Sequence, residues 1–159
     1  MRRKDKQVSD PGELEEIIKS AHYVVVGFQT GAEPYMVPLD FVFDGTYVYF
    51  HCAKDGRKLD LLRAQPEVAL LFVDYGGIFG GGKDNTACNY STKYRSVMAR
   101  GKALVLEDFE DKKMALSVFM TKFELGHLPF KEKMIDATCV VRVELIELVG
   151  KQSPVKPKQ

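Results

Sequence analysis

Asp44 and Gly45 stand between two runs rich in alternating and β-type residues, YMVPLDFVF (35–43) and TYVYFHC (46–52). An Asp-Gly link in that setting is a strong hairpin signal, because the loop needs backbone angles that these two residues tolerate. A lone two-stranded ribbon is marginal in water, so the rest of the chain must supply strands or helices to cover it. With Asp44 and Gly45 as the loop, Phe43 faces Thr46, Phe41 faces Val48, Leu39 faces Phe50 and Val37 faces Cys52. That face is a core face. The other carries Met36, Pro38, Asp40 and Val42 opposite His51, Tyr49 and Tyr47, with Pro38 across from His51, and reads as the side that meets a ligand. In this register Pro38 falls at a non-hydrogen-bonded pair, its missing N–H directed away from the His51 strand.

The remaining elements follow from period and punctuation. Asp10-Pro11-Gly12-Glu13 has a cap residue, a proline at the first helical position and an acid three residues after the cap. Leu14, Ile17, Ile18 and Ala21 then recur at helical spacing, so a helix is expected over 11–21. HYVVVGFQT, EVALLFVDY, YRSVMARGKALVLE and TCVVRVELIELVG read as further strands, EVALLFVDY as a buried one. A helix over 110–124 would use Met114, Val118, Phe119 and Phe123 as its apolar face, and a Gly- and Asn-rich loop would span residues 75 to about 93. Six strands without a βαβ rhythm argue for an α+β fold, a mostly antiparallel barrel with peripheral helices. It would occupy residues 1–150 as a single domain, with 151–159 a flexible tail.

Composition excludes several classes of protein. The 159 residues are enough for one domain with a real core, and no apolar run approaches the roughly 20 residues of a spanning helix. Lys and Arg number 23 against 22 Asp and Glu, which leaves no general basic field for nucleic acid. MRRKDK is followed by polar, acidic sequence instead of an apolar core, so a cytoplasmic protein without a membrane partner is expected. Cys52, Cys88 and Cys139 are isolated, and His22 and His127 stand alone, so no metal site is indicated.

HCAKDGRKLDLLRAQP (51–66) breaks a local rule. Asp55-Gly56 turns the chain into a helix carried by Leu59, Leu61 and Leu62, which places Arg57 and Lys58 at its positive end, opposed to the dipole by about 0.3 to 1 kcal/mol each. A bound anion would reverse the sign, and free N–H groups, a glycine and two cations make a phosphate cradle. On this stretch alone, two solvated charges on a surface helix are the simpler account. GIFGGGKD (77–84) has the spacing of a nucleotide-binding loop, but Asp84 stands where a hydroxyl is needed and no helical pattern follows, so it is set aside.

With these pieces in place, PYMVPLDF, YFHCAKDGRKLDLLRAQPEVALLF, KYRSVMARGKA and VVRVELIELVGK together resemble the FMN-binding split-barrel superfamily, the pyridoxamine 5'-phosphate oxidase-like proteins, and within it the nitroimidazole-resistance (Nim) proteins. The resemblance spans nearly the whole chain. It implies a six-stranded split barrel and a homodimer with FMN at the interface. Arg57 and Lys58, with Gly56, would hold the FMN phosphate, and Val37, Pro38, Leu39, His51, Cys52 and Ala53 would lie against the ring. Tyr94, Arg95, Ser96 and Val97 would add contacts, often from the second subunit. His51 matches the setting of the histidine that Nim-type members carry near the flavin and is the candidate catalytic residue. The C-terminal Arg and His motif that grips pyridoxamine phosphate in the oxidase itself is missing from KQSPVKPKQ, so vitamin B6 oxidation is not expected. The activity implied is an FMN-dependent oxidoreductase of nitroreductase or flavin-reductase type, acting between a small electron donor and acceptor. The alternatives are a flavin-carrying electron-transfer protein and a haem protein with His51 or His127 as ligand.

Overall fold

The computed structural model describes residues 2–31, 33–81 and 86–154. Its elements are β1 (Gln7–Val8), α1 (Pro11–Ser20), β2 (Val24–Phe28), β3 (Tyr35–Leu39), β4 (Val42–Phe43), β5 (Tyr47–Cys52), α2 (Arg57–Ala64), β6 (Glu67–Gly80), β7 (Tyr90–Leu106), α3 (Phe109–Lys122), α4 (Glu132–Ala137) and β8 (Cys139–Ser153). Among the described residues the strands form one eight-stranded sheet in the order β3-β2-β6-β7-β8-β5-β4, with β1 joined to β8, and every pairing is antiparallel. The α+β class is as expected, but the strand number is eight where the sequence suggested six. One extra is the short β1. The other arises because 35–43 is two strands, interrupted at Asp40 and Phe41, and its halves go to opposite ends of the sheet.

The hairpin register also differs. Phe43 faces Val48 and Val42 faces Tyr49, while Asp44 N–H bonds the Tyr47 carbonyl at 3.2 Å, so the two loop residues are Gly45 and Thr46. Gly45 takes φ +99° at the first loop position, where glycine is favoured. The Asp44 carboxylate holds the turn by accepting from the amides of Thr46 at 2.8 Å and Tyr47 at 2.7 Å. Moving the loop by one residue shifts the pairing by two, so every side chain keeps its face. Phe41, Val48 and Phe50 are therefore in the core as expected. Pro38 does not meet His51. It lies on β3, an edge strand, and pairs with Val25 of β2, and His51 pairs with Val140.

The inner face of the sheet packs Val24, Val26, Leu70, Phe72, Val97 and Val141 beneath α1 and α2, which contribute Ile17, Ile18, Leu59 and Leu62. Helix α1 begins as its sequence requires, the Asp10 carboxylate accepting from the Glu13 amide at 2.9 Å. On the outer face α3 covers a smaller cluster of Val42, Tyr49, Leu106 and Val140 with Ala115 and Phe119.

Two stretches read as irregular are strand. β6 and β7 run on past a bulge at Tyr75/Ile78 as far as Gly80 and Tyr90, which makes a projecting hairpin of much of the expected loop; residues 82–84 of GIFGGGKD lie outside the described residues. Lys151, Gln152 and Ser153 extend β8 against Ser96, Arg95 and Tyr94, and the rest of the expected tail, 155–159, is likewise outside them. Among the described residues no helix is long and apolar enough to cross a membrane.

Candidate functional site

Helix α2 starts without a side-chain cap. Its N-cap is Gly56, at φ +125°, and the helix's own ladder begins with Leu59 and Asp60 donating to the Gly56 carbonyl at 2.9 and 3.3 Å. The amides of Arg57 and Lys58 precede that ladder, at the positive end of the dipole. A Cβ built on Gly56 would meet nothing within 4 Å, so the approach to these amides is open. The Arg57 guanidinium lies 4.6 Å from the centre of the Tyr35 ring and bonds Glu33 at 2.8 Å. Both partners of that ion pair are exposed, so exchanging Glu33 for another anion costs little. These contacts set the start of α2 beside the start of β3. An uncapped amide cluster, an open glycine and two adjacent cations fit a terminal phosphate.

The strand pleat divides the other sequence-predicted residues into two sets. Val37, Leu39 and Cys52 point inward and pack against the core, and Val97 is fully buried there. Pro38 and His51 point outward, as does Ser96, which shares its pleat face with Val73. His51 is exposed and meets the Phe119 ring edge-on at 4.9 Å. Ala53 is exposed in the link between β5 and α2.

Arg95 is held within the chain. It donates from Nε and Nη2 to Asp74 at 2.9 and 2.7 Å and from Nη1 to Glu16 at 2.8 Å, which ties α1 to β6 and β7. These bonds, first that to Glu16 and then that to Asp74, raise its pKa above the ordinary arginine value. Tyr94 carries the Lys151 ammonium 5.7 Å from its ring centre. β2 and β6 lie between β7 and β3, so the Tyr94–Val97 segment and the start of α2 are at different places on one chain.

Sequence reasoning missed Tyr35 and Glu33 as neighbours of Arg57; an aromatic and an acid just before MVPL were visible, but nothing local joined them to a helix more than twenty residues on. It also missed an open apolar surface. Outward residues of β3, β2, β6, β7 and β8 align in the row Pro38–Val25–Leu71–Met98–Val149, with Met36–Gly27–Ala69–Arg100–Glu147 beside it. Met36, Leu71, Val73 and Met98 are 64%, 36%, 43% and 54% exposed, and a cavity of about 370 Å³ lies over the two rows. EVALLFVDY is thus apolar on both faces but covered on one.

Fold and site together define a class: a curled antiparallel sheet whose α2 carries an open, cationic helix start at the edge strand. The chain belongs to the pyridoxamine 5'-phosphate oxidase family, whose model matches residues 10–152. Among solved structures it is similar to a candidate 5-nitroimidazole antibiotic resistance protein from Bacteroides thetaiotaomicron, with 26% identity, a TM-score of 0.79, and coverage of 92% of this chain and 86% of that one. A flavocytochrome from Azotobacter vinelandii is 24% identical with a TM-score of 0.83, covering 100% of this chain and 74% of the other. An FAD and haem binding protein from Mycobacterium smegmatis is 18% identical with a TM-score of 0.81, covering 97% and 76%. Among curated proteins none matches the chain.

Proposed function

We propose that this protein binds FMN and works as a flavin-dependent oxidoreductase of nitroreductase or flavin-reductase type. The observation that carries the reading is the start of α2: uncapped amides, open Gly56, and Arg57 and Lys58 together, in a family member similar to flavin-binding proteins. Arg57 and Lys58 hold the phosphate, and Arg57 exchanges Glu33 for it while staying on Tyr35. The outward side of β3 and the exposed end of β5, with Pro38 and His51, lie along the ring, and His51 supplies a proton to a small acceptor. Bound flavin supplies the electron transfer, while the chain positions it and limits its access to water.

The site is completed by a second copy of the chain. β2 and β6 separate Tyr94 and Ser96 from the β3 edge that Arg57 touches in their own chain, and Ser96 lies on the open apolar side that a twofold partner would cover. That side is also self-complementary. Arg100 and Glu147 pair at 3.4 Å near its middle, both exposed, and a twofold axis there lets each pair with its counterpart in the other subunit.

The test begins with the spectrum of protein reconstituted with FMN. Flavin bands that remain after desalting support the reading; a Soret band instead would indicate haem, with His51 or His127 as the ligand. Arg57→Ala with Lys58→Ala is expected to weaken FMN binding roughly tenfold or more, since two charge-assisted hydrogen bonds are lost, with the circular dichroism unchanged. Unchanged affinity would remove the phosphate assignment. Anaerobic mixing with NADH or NADPH and then a nitroaromatic is expected to bleach and restore the flavin, and FMN that no donor reduces would refute the enzyme reading.

A further inference from the structure

Cys52 is the last residue of β5 and Cys139 the first of β8, and they are direct partners in the antiparallel ladder. Cys139 belongs to the inner core cluster and Cys52 packs against it, and the Cys52 thiol acts on that of Cys139. Directly opposed residues of an antiparallel pair hold their Cα atoms about 4.5 to 5.5 Å apart. A disulfide takes about 4.4 to 6.8 Å, so this pair can close without moving the strands. The pair ends its ladder, followed on one side by the Ala53–Gly56 link and preceded on the other by the end of α4, so the sulfurs have freedom to turn. Among the described residues no group of three or more His, Cys, Asp or Glu is gathered that could hold a metal, which leaves the pair no ligand role there.

Access is also built in. Cys139 is only 7% exposed, but it lines a cavity of about 360 Å³ with Lys54, Arg63, Lys112, Glu107 and Asp136. Burial first, and then the Cys52 thiol, push the Cys139 thiol up to about 11, so it stays protonated. Cys52 is half-buried, the more exposed of the two sulfurs.

We infer that Cys52 and Cys139 are a redox couple which hydrogen peroxide converts to a cross-strand disulfide. Cys52 sulfur attacks one peroxide oxygen; the O–O bond breaks, an S–O bond forms, and the departing hydroxide takes up the Cys52 proton as water. Cys139 sulfur then displaces the hydroxyl from Cys52: the S–S bond forms, the S–O bond breaks, and the Cys139 proton leaves with that hydroxyl as a second water. The two thiols together lose two electrons and two protons, and one peroxide is reduced. The product ties the residue four before Gly56 to β8, so oxidation restrains the link that leads into α2.

Cys88, exposed in the short turn that precedes β7, is the internal comparison. The experiment uses Cys88→Ser protein, which changes only an exposed position, treated with hydrogen peroxide and followed by free-thiol titration, intact mass and peptide mapping. The expected result is loss of both thiols together, a mass decrease of about 2 Da and a Cys52–Cys139 cross-linked peptide, all reversed by dithiothreitol. Oxygen adducts on either cysteine without that peptide would overturn the inference. So would two intact thiols at a peroxide dose that fully oxidises Cys88 in the parent protein, or a disulfide joining two chains.

Discussion

Gly101 sits where the sheet has no room for a side chain. The β7–β8 register shifts between Arg100 and Gly101, and a Cβ on Gly101 would lie 2.6 Å from Val143 Cγ1 and 2.7 Å from the Glu144 carbonyl oxygen. A backbone oxygen cannot rotate away, so Gly101→Ala is expected to destabilise the fold by about 1 to 3 kcal/mol. A lower urea midpoint with an unchanged slope would show it. Asp44 makes a different kind of prediction. Partial burial pushes its carboxyl up, but the amides of Tyr47 and Thr46 and the Tyr49 hydroxyl, which donates at 2.9 Å, outweigh this and leave it below the ordinary carboxylate value. The Tyr49 phenol, in turn, is pushed up to about 12, by burial first and then by Asp44. A carboxyl depressed in the folded state contributes stability that is present above its unfolded pKa, about 3.9, and is lost as pH falls through its lower folded value. The urea midpoint of the parent should therefore fall more steeply below about pH 4 than that of Asp44→Asn. Parallel pH profiles for the two proteins would count against this role.

Helix α3 is attached to the sheet through few side chains. Phe119, 3% exposed, reaches the Val42, Tyr49, Leu106 and Val140 cluster and also meets the His51 ring. Phe119→Ala should cost about 3 to 5 kcal/mol, read from chemical denaturation, and should leave His51 without its aromatic neighbour. The identity of this helix was legible in its sequence, and its buried face only in part, since Val118 and Phe119 pack on the cluster as expected. Met114 and Phe123, expected to be apolar contacts, are 49% and 50% exposed, whereas Lys112 is buried and donates to the Asp136 carbonyl at 3.3 Å. The patch that α3 covers is small, filled by Ala115 and Phe119 with Leu116 and Val118 packed beside them, and the periodic pattern is correspondingly weak. Elements whose faces meet the main core, such as α1 with its capping aspartate, were legible because burial and local chemistry agree there. The start of α2 was legible for the opposite reason, since its charges contradict the helix dipole. Its pairing with Glu33 and Tyr35 was hidden because it joins distant parts of the chain. The hairpin loop was misplaced by one residue because Asp44-Gly45 and Gly45-Thr46 are both acceptable turns, and only the carboxylate bonds to Thr46 and Tyr47 distinguish them.

At the scale of the whole molecule, the outer side of β2, β3, β6 and β7 is an incomplete interior. A strand apolar on both faces is stable in water only if both are covered, and one chain covers only the inner face of β6. Beyond the bulge at Tyr75/Ile78 the β6–β7 hairpin continues as a two-stranded arm, with Tyr75 and Ile78 66% and 73% exposed. Such an arm is marginal in isolation and gains support if it rests on another subunit. The proposed homodimer accounts for the open rows, the self-complementary Arg100–Glu147 pair and the separation of Ser96 from the α2 start of its own chain. Leu71→Glu with Met98→Glu places two carboxylates per chain in the centre of the apolar row. Multi-angle light scattering should give twice the chain mass for the parent and the single-chain mass for this variant, with the circular dichroism preserved because both positions face outward. FMN affinity should fall in the same variant although Arg57 and Lys58 are untouched, since the partner's contribution is lost. A parent protein that is monomeric at micromolar concentration, or a monomeric variant that retains full FMN affinity, would break the link between assembly and cofactor binding.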